Sequence, residues 1–200
     1  NQVEKALQML LKAKRPAILV GEEVQQLGGT QQIVDLAEKL GAAVVTSDGA
    51  KGAFPEDHVQ SVGQIMGKRI WGENPVQDWL GTCDLAVVLG SIMPQRSTTG
   101  IGLKMPSDIV HVLLDGEAIG KNYPATVPIT ANSQAVVQQW LGAIGDQDVH
   151  KGKAFQDDIA AIKGNIQSRL EETWSNELKV FKTVRAVTPR NTIFSLDPTV

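Results

Sequence analysis

The sequence lacks the features that disulfide-bonded, membrane-spanning and nucleic-acid-binding proteins share. Its one cysteine, Cys83, cannot form a disulfide within the chain, so a reducing compartment, the cytoplasm, is the expected location. No apolar run reaches the roughly 18 residues that a membrane span needs. An excess of positive charge is also lacking, since the formal net charge is −3 at pH 7. We therefore expect neither a nucleic acid nor a membrane as a partner.

Patterns typical of metal and nucleophile chemistry are missing as well. Cysteine and histidine do not cluster, which leaves a zinc site unsupported, and Cys83 suits buried packing better than nucleophilic attack. Asp84 and Asp108 precede predicted strands whereas Asp115 follows one, so these carboxylates are expected at opposite edges of a sheet. His111 lies within an apolar strand, which favours a hydrogen-bonded core histidine over a catalytic one. We expect no catalytic residue and no metal ligand in this chain.

What the sequence does contain is an alternation of short apolar runs and amphipathic helices. With 42% hydrophobic and 20% charged residues, its composition is that of a globular protein with a full core. Apolar runs predict strands at 17–20, 42–46, 85–89, 108–114 and 127–130. Apolar periodicity predicts helices at 2–14, 30–40, 74–83 and 133–144. Because the runs are apolar on both faces, the pattern predicts an α/β fold: an open parallel sheet of about five or six strands with helices on both faces.

The composition changes after Gly145, where a polar stretch at 146–153 reads as a linker. Two helices are predicted beyond it, at 155–174 and 176–187, followed by a strand at 193–196. We therefore expect a first domain at 1–145 and a helical C-terminal extension at 146–200. The chain starts with Asn and ends just after a strand that has no later partner, so we expect it to be a piece of a longer protein.

The stretch at 42–67 carries the best candidate site. Its strand ends in a Gly-rich loop with Lys51 and Gly52, and a turn with Glu56 and His58 follows. Loops at the carboxyl ends of parallel strands are where α/β folds bind ligands, and Lys51 suits a phosphate or carboxylate. The alternative is a structural loop in which Glu56 and His58 bridge nearby groups, and the sequence leaves both interpretations open.

Several phrases, taken together in order and spacing, resemble one protein family. They are A-K-R-P at 13–16, L-A-E-K-L-G at 36–41, T-S-D-G-A-K-G-A-F-P-E-D-H at 46–58, A-V-V-L-G at 86–90, T-G at 99–100, I-V-H-V at 109–112, I-G at 119–120 and N-Y-P at 122–124. Over about residues 2–145 the chain resembles the central domain of thiamine-diphosphate-dependent enzymes of the acetolactate synthase, pyruvate oxidase and 2-keto-acid decarboxylase group.

The resemblance implies a Rossmann-like fold, of the kind also used by NAD- and FAD-binding domains, in a thiamine-diphosphate-dependent carboligase or decarboxylase acting on 2-keto acids. It implies thiamine diphosphate and Mg²⁺ in the longer protein, bound at sites outside this chain. The implied partners are a pyrimidine-binding domain, a diphosphate-binding domain and further copies of the protein in a homo-oligomer. The tail at 192–197 resembles the first strand of the diphosphate-binding domain.

The resemblance also implies a nucleotide site, because several family members hold FAD or an ADP-like nucleotide on this domain. The implied contacts, besides Lys51 and Gly52, are Gly21, Gly90, Arg96, Asp115 and Ile119. Asp115 at a strand end could accept a ribose hydroxyl, as acidic residues do in dinucleotide-binding folds. A stand-alone FAD- or adenine-nucleotide-binding module is therefore the alternative function.

Three departures from the family pattern oppose this nucleotide site. The first loop reads Gly21-Glu22-Glu23 instead of small residues, and each carboxylate about 5 Å from a phosphate charge costs roughly 3 kcal/mol at an effective dielectric constant of about 20. The loop after the third predicted strand lacks the arginine that often follows its Gly-Ala in the family, since Ile92 stands there. The G-x-G-x-x-G fingerprint is also absent, which weakens a third possibility, an unrelated NAD-binding protein of the same fold.

Overall fold

A computed structural model of the 200-residue chain describes residues 1–65, 75–95, 98 and 100–194. The chain divides into two compact units, Asn1–Lys163 and Gly164–Val200. The first unit thus runs past the domain boundary expected after Gly145, because the start of the helix at Lys153–Thr173 belongs to it. The two-domain division at 145 itself stays a prediction.

The first unit is built on one six-stranded sheet in which every neighbouring pair is parallel. In chain order its strands are β1 Pro16–Val20, β2 Ala43–Thr46, β3 Ser61–Gln64, β4 Leu85–Leu89, β5 Ile109–Leu113 and β6 Val127–Thr130. They lie in the order β3-β2-β1-β4-β5-β6. The predicted α/β class with a parallel sheet is therefore confirmed, and the sheet has the doubly wound order of dinucleotide-binding domains.

Helices connect the strands and extend beyond them. They are α1 Gln2–Lys12, α2 Glu22–Leu27, α3 Thr30–Leu40, α4 Pro75–Leu80, α5 Ser133–Ile144, α6 Lys153–Thr173 and α7 Ser175–Val187. Asn132 caps α5, with its side-chain oxygen accepting from the amide of Ala135 at 3.1 Å. None of the helices in the described part of the chain combines the length and the apolar character that crossing a bilayer requires.

Both faces of the four inner strands are covered, which is why those strands read as continuous apolar runs. Every residue of β1, β4 and β5 is buried, although successive side chains point to opposite faces. One face packs with α1, α3 and α5 in a single apolar cluster that includes the fully buried Trp140. Beyond that cluster, Trp79 of α4 and Phe155 of α6 are buried and stack with their ring centroids 6.3 Å apart.

Three local predictions need correction. Strand β3 was not predicted, and the structure adds it as the edge strand beside β2. Thr30 has a residue type that favours N-caps and was expected to cap the helix predicted at 30–40, but it is the first residue of α3, and Gly29 is the N-cap. The Thr30 hydroxyl instead donates to the carbonyl of Ala53 at 3.0 Å. In the strand predicted at 193–196, Ile193 and Phe194 have no regular structure, and the other two positions lie outside the described residues.

Charged groups connect distant segments of the chain at the amino edge of the sheet. The Asp84 carboxylate accepts from the backbone amides of Lys14 and Arg15 at 2.7 and 2.9 Å, so it holds the turn that leads into β1. The Arg15 guanidinium reaches the carboxylate of Asp158 at 2.7 Å, and the indole of Trp79 donates to the same oxygen at 2.7 Å. These bonds attach the start of α6 to the body of the first unit.

Lys151 caps the carboxyl end of α1. Its ammonium donates to the carbonyls of Leu10 and Leu11 at 3.2 and 3.0 Å, two of the last carbonyls of that helix. A cation there also matches the negative end of the helix dipole. The Lys151 side chain is buried, and burial lowers its pKa below the usual 10.5. Its backbone amide donates to Leu40 at the end of α3, so one residue ties two helices together.

We expect Lys151→Met to lower the free energy of unfolding by about 1–3 kcal/mol, because methionine keeps the apolar stem but leaves two helix carbonyls without a charged donor. Urea unfolding followed by circular dichroism measures the change. Lys153→Met is the matched control, since Lys153 is 85% exposed and pairs with Asp157 one turn later. The control should cost less than about 0.5 kcal/mol. Equal midpoints for both variants and the wild type would contradict the capping role.

Candidate functional site

The candidate ligand crevice lies where the sheet reverses direction. Strands β1 and β4 are neighbours, but the chain leaves β1 toward β2 and leaves β4 toward β5, so their loops diverge at the carboxyl edge. In doubly wound folds this switch point is where a dinucleotide binds. The structure brings two of the predicted residues together here, because Gly21 follows β1 and Gly90 follows β4.

Gly21 and Gly90 allow an unusually close approach of the two strand ends. A Cβ added to Gly21 would lie 2.3 Å from the carbonyl oxygen of Gly90, so no larger residue fits without movement. The amide of Gly21 donates to Leu89 at 2.8 Å, and the amide of Glu23 donates to Gly90 at 3.0 Å. The first turn of α2 is therefore hydrogen-bonded to the loop after β4.

Glu22, the first residue of α2, lies over the loop that follows β2. Its carboxylate accepts from the hydroxyl of Ser47 at 3.0 Å. A Cβ added to Gly49 would lie 2.5 Å from the same carboxylate oxygen, so this glycine makes room for Glu22. Glu22 thus fills the side of the crevice between β1 and β2.

Glu23, the second residue of α2, fills the other side. One carboxylate oxygen accepts from the amide of Leu114, just after β5, at 3.0 Å. The other oxygen is buried and has no hydrogen-bond partner among the described residues. A Cβ at Gly90, whose φ is +68°, would lie 2.8 Å from the Cβ of Glu23. The two glutamates therefore span the crevice from the loop after β2 to the end of β5.

His111 of β5 connects the loops after β4 and β5. Its Nε2 lies 2.8 Å from the carbonyl oxygen of Ser91, and its Nδ1 accepts from the amide of Gly120 at 3.4 Å. With Nδ1 as acceptor, the ring carries its proton on Nε2 and donates it to Ser91. Burial lowers the pKa of His111 below 6.5, and the bond to Ser91 opposes this only in part. The predicted core histidine is confirmed as hydrogen-bonded and buried.

The remaining nucleotide contacts implied by the resemblance lie in the loop after β5 or outside the described part of the chain. Asp115 is exposed, and its carboxylate accepts from the amide of Glu117 at 3.0 Å, which closes a local turn. Ile119 is half-buried and precedes Gly120, whose amide donates to His111. Arg96 lies outside the described residues. Whether Asp115 and Ile119 contact a ligand stays a prediction.

The loop after β2 is held by side-chain contacts within itself and with α3. The Lys51 ammonium lies 2.6 Å from the Glu56 carboxylate, and both side chains are largely exposed. His58 Nε2 lies 3.0 Å from the carboxylate of Glu38 on α3, while its Nδ1 accepts from the amide of Gln60. Gly52 has a φ of +88° and open space where a Cβ would lie. These contacts match the structural interpretation of the loop, and its role as a binding site stays a prediction.

Other reactive groups are dispersed or buried. Burial raises the pKa of the Cys83 thiol to about 12, which keeps it protonated and makes it a poor nucleophile, as the sequence suggested. Within residues 1–65, 75–95, 98 and 100–194, no three side chains of His, Cys, Asp or Glu gather to form a metal site. The predicted carboxylates Asp84 and Asp115 lie at opposite edges of the sheet, one before β4 and one after β5.

The sequence indicates that Glu22 and Glu23 oppose a nucleotide, but it does not reveal their hydrogen-bond partners, Ser47 and Leu114. Only the strand register reveals that Glu23 meets the amide of Leu114, 91 positions later. One sequence signal could have suggested this arrangement. An acidic pair directly follows the first strand, and glycines at positions 49 and 90 follow the two strands that flank it. An apolar strand carrying one histidine likewise gave no hint that His111 joins two loops.

The fold and the crevice define a doubly wound α/β domain of the dinucleotide-binding class. A protein-family model described as "Thiamine pyrophosphate enzyme, central domain" matches residues 3–140, more than half of the chain. The chain therefore belongs to the central-domain family of thiamine pyrophosphate enzymes.

Curated relatives of the chain include several acetolactate synthases. The probable acetolactate synthase large subunit of Methanocaldococcus jannaschii is 28% identical over 163 residues, which make up 81% of this chain and 27% of the relative. The large subunit of Buchnera aphidicola is 28% identical over 189 residues, 94% of this chain and 32% of the relative. Acetolactate synthase of Mycobacterium bovis is 32% identical over 145 residues, 72% of this chain and 23% of the relative. The chain thus spans about a quarter to a third of these relatives.

The state of His111 predicts how stability depends on pH. Because its pKa is lower in the folded than in the unfolded protein, the folded state binds this proton more weakly. The stability that His111 contributes is complete above about pH 6.5 and is lost as the pH falls toward the folded-state pKa. The loss amounts to about 1.4 kcal/mol for each pH unit that separates the two pKa values.

We expect His111→Gln to remove this component, so that stability depends less on pH between about pH 5 and 7 than in the wild type. Glutamine keeps both a donor and an acceptor at the site, which limits the loss of the bonds to Ser91 and Gly120. Urea midpoints of both proteins across this range measure the difference. Parallel pH profiles would show that His111 is not buried in its neutral form.

Proposed function

We propose that the chain is the central domain of an acetolactate-synthase-like enzyme that uses thiamine diphosphate to make or break a carbon–carbon bond next to the keto group of a 2-keto acid. The observation that carries the proposal is the family match over residues 3–140, on a fold with the matching doubly wound sheet. The acetolactate synthases among its relatives support the reaction class.

The proposed role of this domain is to position other parts of the enzyme. Thiamine diphosphate, when bound, would supply the electron sink that stabilises negative charge at the former keto carbon. We propose that it binds with Mg²⁺ between a pyrimidine-binding and a diphosphate-binding domain outside this chain, in a cytoplasmic homo-oligomer. In this proposal the loop with Lys51 and Gly52, which follows β2 at the carboxyl edge of the sheet, forms one wall of the cleft.

A second candidate function is nucleotide binding by this domain, as in a flavoprotein. The observation in its favour is the position of Gly21 and Gly90 at the switch point of the sheet. The carboxylates of Glu22 and Glu23 in the same crevice oppose it. We therefore propose the structural role as the function of the domain.

The reaction is tested on the longer protein that contains this chain. We expect pyruvate to be converted to acetolactate only when thiamine diphosphate and Mg²⁺ are both present, and chelation of the metal to stop turnover. Product formation can be followed by nuclear magnetic resonance with a panel of 2-keto acids. Failure to turn over any member of the panel with the cofactor present would contradict the proposal.

The role of the loop after β2 is tested by Lys51→Met in the same enzyme. Since the Lys51–Glu56 pair is exposed, its loss should change the free energy of unfolding by less than about 1 kcal/mol. If the loop lines the cleft, KM or kcat for the 2-keto acid should change by about threefold or more. Steady-state kinetics and thermal unfolding separate the two effects.

Lys104→Met is the control for this variant. It breaks an exposed pair of similar geometry, Lys104 with Asp78 at 2.8 Å, which lies near the start of β5 and away from the carboxyl edge. We expect its kinetics to match the wild type. Unchanged kinetics in both variants would exclude Lys51 from the cleft.

A further inference from the structure

We propose that this domain holds its own carboxylates where related folds hold the diphosphate of FAD or ADP, so that Glu22 and Glu23 close the crevice and no nucleotide binds there. The inference rests on contacts within this chain. It can therefore be tested independently of the reaction proposed for the longer protein.

The first argument is the use of backbone donors. A diphosphate at a switch point needs free amides at the start of the helix that follows the first strand. Here the amide of Gly21 donates to Leu89, that of Glu23 to Gly90, and that of Val24 to Gly21, at 2.8, 3.0 and 3.2 Å. These three amides are satisfied by the protein itself, so they are not available to a phosphate.

The second argument is volume. Glu22 extends to the loop after β2 and Glu23 to the end of β5, and each is anchored by a hydrogen bond of 3.0 Å. Gly49 and Gly90 leave the space that these side chains occupy, since a Cβ at either position would lie within 2.8 Å of a glutamate atom. The room that glycines provide for a ligand in dinucleotide-binding folds is here taken by α2 itself.

The third argument is charge. The amide of Leu114 at the end of β5 could donate to a bound anion, but it already donates to the Glu23 carboxylate. The second oxygen of Glu23 is buried without a hydrogen-bond partner among the described residues. A phosphate entering beside it would meet a like charge in a region of low dielectric. The residues present therefore do not fit a nucleotide diphosphate.

The first test is a titration of the 200-residue chain with FAD and, separately, with ADP, followed by thermal unfolding. We expect the Tm to stay within about 1 °C of the ligand-free value, whereas a ligand at about 100 times its Kd would raise it by about 5–10 °C. A saturable rise above about 1 °C with either nucleotide would overturn the inference. A flavin that copurifies at one molecule per chain would do the same.

The second test asks whether the Glu23 contact exists in solution. We expect the amide of Leu114 to be protected from hydrogen exchange in the wild type and in Glu23→Gln, whose side-chain oxygen still accepts a hydrogen bond. In Glu23→Ala the exchange at Leu114 should become about tenfold faster or more. Glu4→Ala, on the exposed first turn of α1, is the control and should leave Leu114 unchanged.

Two outcomes of the exchange experiment contradict the inference. One is an unprotected Leu114 amide in the wild type, since Glu23 would then not close the crevice. The other is equal protection in the wild type and Glu23→Ala, since another group would then be the acceptor. If Glu23→Ala does not fold, exchange at Leu114 in the wild type and in Glu23→Gln still tests the inference, because the inference requires this amide to be protected in both.

Discussion

The close approach of β1 and β4 at their carboxyl ends is the constraint on which the rest of the structure depends. Gly21 and Gly90 let the two backbones meet, and the amide of Glu23 bonds directly to Gly90. Helix α2 therefore begins immediately at the end of β1, without a loop between them. Because its start is fixed to the sheet, its first two side chains must extend along the carboxyl edge, one toward β2 and one toward β5.

Most of the fold could be predicted from the sequence because both faces of the sheet are covered. The runs that correspond to β1, β2, β4 and β5 are fully buried, since strands buried on both faces need mostly apolar side chains. In the edge strand β6, which was also predicted, Val127 and Ile129 are buried while Pro128 and Thr130 are exposed. Strand β3 was not predicted because it lacks such a run of buried apolar residues. It is an edge strand of four residues, S-V-G-Q, with two half-buried positions, a bulge against β2 and a glycine at φ +98°. Nothing in so short and polar a run distinguishes a strand from a loop.

The candidate site was only partly predictable, because its contacts depend on strand order. Sequence pattern could assign Gly21, Gly90 and Asp115 to strand ends and could recognise that Glu22 and Glu23 oppose a phosphate. It could not show that Glu23 bonds to Leu114, or that Lys51 pairs with Glu56 while His58 pairs with Glu38. Such contacts require knowing which strand ends are neighbours, and that order is set by the packing of helices as much as by the strands.

The two edges of the sheet differ in how their polar groups are used, and this difference supports a division of roles. At the amino edge Asp84, Arg15 and Asp158 are mutually satisfied and tie distant segments together, as expected of a part that confers stability. In the loop that begins at the carboxyl edge after β4, Met93 and Ile101 have φ values of +49° and +68°, each costing about 1–3 kcal/mol. Such conformations persist only where neighbouring contacts enforce them, here a bond of 2.9 Å from Asn122 to the carbonyl of Met93. Paired side chains thus hold the amino edge of the sheet, whereas the loop that begins at its carboxyl edge keeps a left-handed backbone at Met93 through a contact with a later segment.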